Sequence, residues 1–139
     1  MILSKLRQKS DFNIDAADIL ITKDLYAPSV HCSYYSCFQL LKYTINVFFG
    51  IDYKKLKEDI ACYNPHKGTH QYVINFIYKE LSSLTNIKES QNFRRKINDL
   101  KQFRIESDYE EIEVLSDQGK KAYELAKMIR NYIIKNFNV

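Results

Sequence analysis

The stretch FRRKINDLKQFRIESDY, residues 93–109, indicates both how the chain folds and where its chemistry lies. At about 100° of rotation per residue, its apolar side chains share one helical face, at Phe93, Ile97 and Leu100. The same face continues to Arg104 and Asp108, which are four residues apart. Charged side chains rarely occupy an apolar face unless they are paired or border a cleft. Two interpretations stay open: a buried ion pair that fixes the fold, or a polar cleft that binds a ligand.

The bulk composition is that of one ordinary globular domain. The chain has 139 residues, of which 45% are hydrophobic and 27% are charged, a balance that supports a packed core. Only three glycines and two prolines interrupt it, which favours long helices. We therefore predict a single domain over residues 1–139. The net charge of +4 permits weak attraction to phosphates but does not by itself indicate nucleic-acid binding.

Apolar periodicity predicts an all-α fold. The broadest apolar face belongs to a helix from Ser29 to about Gly50, and several neighbours must cover such a face. We therefore place this helix at the centre, followed by a short helix over residues 52–63. Side chains able to cap helix N-termini stand at Ser10, Asp11, Ser29, Thr69 and Ser116. The predicted fold class is an antiparallel up-down four-helix bundle with an additional short helix.

The periodicity also assigns individual side chains to the core or to the surface. Phe48 falls on the buried stripe of the central helix, and Arg130 falls on the face of the last helix that meets water. The helix that carries Arg104 is predicted to begin near Glu89. Residues 109–115 are predicted to form a connection, because a single short strand would have no partner.

Cysteine usage and hydropathy predict a cytoplasmic protein. Cys32, Cys37 and Cys62 are an odd number of cysteines without the spacing of a disulfide framework, which favours small buried thiols in a reducing compartment. The first residues are too short and polar for a signal peptide. No run of eighteen apolar residues is present, so we predict no membrane span.

Three histidines raise the question of a metal site. His66 and His70 are four residues apart, but Pro65 and Gly68 place His66 in a loop. The segment between them lacks the glutamate of the helical zinc motif. His31 would supply a third ligand only if the fold brought it close. We expect capping or rim roles for these histidines, no metal and no cofactor.

Arg104, within residues 93–109, has two alternative roles. With Asp108 it forms a structural ion pair, or its planar donors face a groove and bind a phosphate. A basic patch, Arg94, Arg95 and Lys96 with Lys101, is typical of a solvated helix face. Contact with an RNA backbone is the alternative for that patch.

Several short motifs, taken together, resemble those of the HEPN domain family of small helical bundles. Residues 33–38, SYYSCF, are similar to its SYYAxF run, and residues 68–70, GTH, to its G-x-H. Residues 104–109, RIESDY, resemble R-x-x-A-D-Y, and the alanines at 122 and 126 fit the last helix. The resemblance extends from about Phe12 to Phe137, nearly the whole chain.

This resemblance implies a homodimer whose arginine-bearing helices meet at a cleft. Many members are ribonucleases, often toxins paired with a small nucleotidyltransferase antitoxin. In those nucleases a histidine follows the arginine after four to six residues. Here the corresponding positions hold Tyr109, Glu110 and Glu111, and no histidine follows His70. Because histidine is the usual proton-transfer group near neutral pH, this departure leaves enzymatic activity open.

The expected function is therefore a dimeric module that binds a nucleotide or RNA phosphate through Arg104, Asp108 and Tyr109. By resemblance it would act with a nucleotidyltransferase in a toxin–antitoxin or defence system, with Tyr109 as a candidate for modification. One alternative is a metal-independent ribonuclease that uses Arg104 and Asp108. Another is a purely structural interaction domain, in which the charged pair only fixes helix register.

Overall fold

A computed structural model describes residues 5–63 and 68–139 of the protein. These residues form six α-helices: α1 (Lys5–Thr22), α2 (Tyr26–Phe49), α3 (Tyr53–Tyr63), α4 (Gly68–Leu84), α5 (Ile87–Tyr109) and α6 (Ser116–Phe137). The described ranges contain no strand, and residues 110–115 form a connection, whereas Tyr109, predicted to belong to it, is the last residue of α5. The all-α prediction is confirmed. The described residues contain five long helices and the short α3. This is one long helix more than the predicted four, because α1 is itself long.

Helix α2 lies at the centre of the fold, as its broad apolar face predicts. It packs against α1, α4, α5 and α6. Tyr34, Leu40, Leu41 and Ile45 of this helix are completely buried. Gly50 ends α2 with a φ of 69°, a left-handed conformation that glycine adopts without steric cost.

The serines predicted to cap the first two helices lie inside them instead. Helix α1 already begins at Lys5, and α2 begins after Leu25. Ser10 Oγ donates to the Ser36 carbonyl at 2.5 Å, and Ser29 Oγ donates to the Ala17 carbonyl at 3.0 Å. Both serines therefore join α1 to α2, and the predicted caps are wrong because these hydroxyls are used between helices.

The other helix starts also differ by one or two residues from the predictions. Helix α4 begins at Gly68, so Thr69 is already helical. Asn86 caps α5, its side chain accepting from the Glu89 amide at 2.9 Å. Leu115 precedes α6, which makes Ser116 its first helical residue. Within the described residues no helix is long and apolar enough to cross a membrane.

Three assignments to core or surface are wrong. Arg130, predicted to face water, is buried and bonds to Ser10 and to Asp11, the latter at 2.6 Å. Phe48, predicted to be buried, is 46% exposed in the last turn of α2, where its ring contacts only the edges of Phe49 and Phe137 among the described aromatic rings. The thiol of Cys62 is exposed near the end of α3, whereas that of Cys37 is buried.

Candidate functional site

Arg104 lies in the interior, enclosed by tyrosine rings. The residue is 6% exposed, and its guanidinium carbon lies 5.0 Å from the ring centre of Tyr34, 5.5 Å from that of Tyr35 and 5.8 Å from that of Tyr109. These distances allow cation–π attraction to all three rings. Helices α2 and α5 pack together, which brings the tyrosines of one helix to the arginine of the other.

The hydrogen bonding of Arg104 is incomplete. Its Nε atom is buried and has no hydrogen-bond partner among the described residues. Its Nη1 atom is 4.0 Å from Asp108 Oδ2, which is too long for a hydrogen bond. A buried N–H without an acceptor costs about 1–3 kcal/mol. The Arg104 guanidinium therefore keeps at least one donor that no described residue satisfies.

Asp108 finds its closest partner on α2 rather than on its own helix. Its Oδ2 atom is 2.8 Å from His31 Nδ1. An ionised carboxylate can only accept, so His31 Nδ1 donates in this contact. The His31 side chain is 47% exposed, which leaves it accessible to a ligand. The expected side chains, Arg104 and Asp108, thus come together with a histidine beside them.

The sequence predicts a capping or rim role for His31, although it also contains a signal for a place in this cluster. His31, Tyr34, Tyr35 and Phe38 are spaced i, i+3, i+4 and i+7, which places them on one face of α2. The structure confirms that grouping: the His31 and Tyr35 rings are 4.6 Å apart, and Tyr35 contacts the Phe38 ring at 6.3 Å. Helical periodicity alone predicts this face but not the acid opposite it.

His70 enters the same cluster from α4. Its Nδ1 atom and the Tyr34 hydroxyl share a hydrogen bond of 2.7 Å, and its ring stacks on Phe38 at 4.1 Å. Burial and, to a smaller extent, the positive charges of Arg104, Lys101 and Lys42 together lower the pKa of His70 to about 4. His70 is therefore neutral at pH 7 and lies inside α4, not at a cap. His66 lies outside the described residues.

Tyr109, the last residue of α5, is 76% exposed. Its ring lies beside the guanidinium of Arg104. By contrast, Arg94 of the predicted basic patch lies over the Tyr78 ring at 4.9 Å, and Arg95 contacts Asn92 at 3.4 Å. These two arginines belong to an exposed face of α5 rather than to the cluster around Arg104.

A separate cavity of about 400 Å³ lies between α5 and α6. Phe93, Ile129, Met128 and Tyr132 supply its apolar lining. Arg104 does not line it. The charged and aromatic cluster around Arg104 is therefore separate from this cavity.

The motifs that resembled a family converge at this cluster. Tyr34 and Tyr35 come from the run at residues 33–38, His70 from residues 68–70, and Arg104 from residues 104–109. The model of the HEPN domain matches residues 3–137. The chain belongs to the HEPN domain family. Membership in the HEPN family indicates a nucleotide- or RNA-related module. No curated protein and no solved structure matches the chain.

Proposed function

We propose that this HEPN protein is a dimeric binding module that holds a nucleotide or RNA phosphate on Arg104. The observation that supports this most directly is the buried guanidinium whose Nε lacks a hydrogen-bond partner. Its planar donors match two oxygens of a phosphate, and the bond is stronger because both groups are charged. Asp108 and Tyr109 border the same position.

Exposed tyrosine supplies the second element of nucleotide recognition. Tyr109 is largely exposed beside Arg104, and Tyr35 is partly exposed on the opposite helix. A base stacked on an aromatic ring contributes about 1–3 kcal/mol. A phosphate on Arg104 with a base on Tyr109 therefore gives a ligand two contacts of different chemistry.

Two further parts of the proposal come from the family resemblance. The protein would form a homodimer in which the α5 helices approach each other, and it would act with a small nucleotidyltransferase in a toxin–antitoxin or defence system. That enzyme would transfer a nucleoside monophosphate from a nucleoside triphosphate to Tyr109 Oη, releasing pyrophosphate and the phenolic proton. Sedimentation equilibrium tests the dimer, and intact mass after co-expression with such a transferase tests the modification.

Titration of labelled AMP and short RNA onto the wild type and Arg104→Met tests the binding site. Methionine keeps apolar volume in the buried position while removing the charge. Arg94→Met is the matched control, since it removes an exposed arginine from the same helix. We expect at least tenfold weaker binding for Arg104→Met alone. Equal binding by all three proteins, with intact helical circular dichroism, would contradict the proposal and favour a purely structural role.

Contact between His31 and Asp108 favours a second candidate function, metal-independent RNA cleavage. The family histidine is missing after Arg104, but His31 occupies nearby space at 2.8 Å from Asp108. His31 Nε2 would take the proton of a 2′-hydroxyl, whose oxygen attacks the phosphorus. The bond to the 5′-oxygen then breaks, that oxygen receives a proton from water, and Arg104 stabilises the charged phosphorane.

Incubation of bulk RNA in EDTA with the wild type, His31→Gln, Asp108→Asn and Arg104→Met tests this second function. Cleavage by the wild type that is lost in each variant would support it. Absence of cleavage by the wild type would exclude ribonuclease activity and would leave the binding module as the proposed function.

A further inference from the structure

The cavity between α5 and α6 has the size and the apolar lining of a small-molecule site. Its volume is about 400 Å³, within the range of about 300–1,000 Å³ that ligand pockets occupy. Phe93 and Ile129 line it and are only 2% and 1% exposed, so both belong to the packed core. Part of the lining is therefore a fixed apolar surface on which the ring of a ligand can leave water.

Two aromatic rings, one from each helix, form part of this lining. The Phe93 and Tyr132 rings lie 6.2 Å apart and 29° from parallel. The Tyr132 hydroxyl donates to Thr85 Oγ1 at 3.3 Å, so a contact outside the cavity holds the Tyr132 ring in place. Met128 lines the same cavity and is 47% exposed, and a flexible thioether adapts well to aromatic surfaces. These side chains favour a flat aromatic group.

Lys96 supplies the cavity with a cation that no acid neutralises. It lines the cavity and is partly buried. Within the described residues, its ammonium forms no ion pair within 4.0 Å. By comparison, Lys127 of α6 pairs with Glu124 at 3.0 Å. An unpaired cation beside an apolar surface attracts an anion more strongly than a cation in open water, because the local dielectric constant is lower.

The acid of the lining, Glu89, already has an electrostatic role. It is exposed in the first turn of α5, where the helix dipole favours a negative charge. Arg95 adds a second cation at the rim, since its Nη2 atom lies 3.4 Å from Oδ1 of the lining residue Asn92. Two cations therefore stand against one acid at this cavity, and an anionic ligand would balance them.

We propose that this cavity binds a small aromatic carboxylate, with its ring against Phe93, Tyr132 and Met128 and its carboxylate paired with Lys96. A single negative charge fits better than the two charges of a phosphate monoester, because Glu89 would repel the second charge. The amide of Asn131, which also lines the cavity, offers donors to the other carboxylate oxygen. Arg104 does not line the cavity, so this inference does not depend on the proposed function.

The test uses three probes that share one ring system and differ in charge. Isothermal titration calorimetry at neutral pH measures the binding of naphthalene-2-carboxylate, the neutral 2-naphthalenemethanol and the cationic 2-naphthylmethylamine. We expect the carboxylate to bind most tightly. Lys96→Gln should weaken the carboxylate by about tenfold and leave the alcohol unchanged. Lys88→Gln, which removes an exposed lysine of α5 outside the lining, is the matched control and should bind all three probes as the wild type does.

A methyl signal locates the bound probe. The sequence has two methionines, Met1 and Met128, so ¹³C-methyl labelling of methionine gives at most two signals. The signal that is lost in Met128→Leu belongs to Met128. It should shift when naphthalene-2-carboxylate is added to the wild type, and it should shift equally in Arg104→Leu. A Met128 signal that stays in place while the calorimeter records binding would overturn the proposal.

The remaining outcomes also decide the proposal. Absence of binding by the carboxylate at millimolar concentration would overturn it, as would equal affinities for all three probes or tightest binding of the amine. Equal weakening by Lys96→Gln and Lys88→Gln would show that Lys96 does not pair with the ligand. Loss of carboxylate binding in Arg104→Leu, with its helical circular dichroism intact, would place the probe at the Arg104 cluster instead. Unchanged binding in Arg104→Leu supports the separate site, whichever way the nucleotide titrations turn out.

Discussion

His31 Nδ1 lies 2.8 Å from Asp108 Oδ2, across 77 positions of sequence. This contact joins the central helix α2 to the C-terminal end of α5. It gives Asp108 a nearer partner than Arg104, whose Nη1 lies 4.0 Å from the same oxygen. The aspartate therefore orients a histidine while the arginine beside it keeps an unsatisfied donor. The proposed binding and the proposed proton transfer would therefore use separate groups within one cluster.

Replacement of His31 by glutamine should affect chemistry far more than stability. Both side chains of the pair are partly exposed, and such pairs contribute only about 0–1 kcal/mol. Urea denaturation should therefore give a free energy of unfolding within about 1 kcal/mol of the wild type. If the protein cleaves RNA, the cleavage rate should fall by about 10²–10⁴ because the proton-transfer group is gone. A loss of several kcal/mol with unchanged cleavage would assign the pair a structural role.

Much of the site was predictable from the sequence because helical periodicity operates over a few residues. An apolar stripe on α5 that continues into Arg104 predicts a buried or cleft-lining guanidinium, and Arg104 is buried. The i, i+3, i+4 spacing of His31, Tyr34 and Tyr35 predicts a shared face of α2. Which helix covers that face depends on tertiary packing, so the pairing of His31 with Asp108 could not be derived.

The errors share the same physical origin. Ser10 and Ser29 are good capping residues by local chemistry, but their hydroxyls bond to carbonyls of another helix. Arg130 has the spacing of a solvent-facing residue on α6, yet it bonds to Asp11, which lies 119 positions earlier. Local pattern gives the default location of a polar side chain, and a distant partner overrides it.

The ion pair between Arg130 and Asp11 should respond asymmetrically to mutation. The Arg130 side chain is 9% exposed, whereas that of Asp11 is 45% exposed. Asp11→Ala leaves a buried cation without its acid and should cost about 3 kcal/mol. Arg130→Met leaves the acid in water and replaces the charge with apolar volume, so it should cost less than about 1 kcal/mol. Urea denaturation of both variants measures the difference, and equal losses would contradict this explanation.

Native thiol labelling should modify one cysteine rapidly. Cys62 is exposed, whereas Cys37 is completely buried and burial raises its pKa to about 12. Burial and the charge of Asp108 also raise the pKa of Cys32, which lowers its thiolate fraction. A maleimide reagent should therefore add rapidly to one thiol per chain, and Cys62→Ser should abolish that phase. Rapid labelling that persists in Cys62→Ser would contradict the assignment.

Protonation of His70 should destabilise the fold in mildly acidic solution. Burial, together with the nearby positive charges, lowers the pKa of this residue from 6.5 to about 4, so the unfolded chain binds more protons between those values. The free energy of unfolding then rises with pH through this window. The stabilising contribution is complete above pH 6.5 and is lost as pH falls toward 4. Because the ring is half-exposed, solvent screening limits the loss between pH 7 and pH 5 to about 1 kcal/mol.

Comparison with His70→Gln isolates this contribution from that of the carboxylates. Urea denaturation at pH 7 and pH 5 measures the loss of stability for each protein, and the carboxylates titrate in both. The wild type should lose about 1 kcal/mol more than the variant over this interval. His31→Gln provides a control, because it removes a histidine that contacts Asp108 instead of one that is packed against Tyr34 and Phe38. Equal losses in wild type and His70→Gln would mean that His70 does not titrate as its packing against Tyr34 and Phe38 requires.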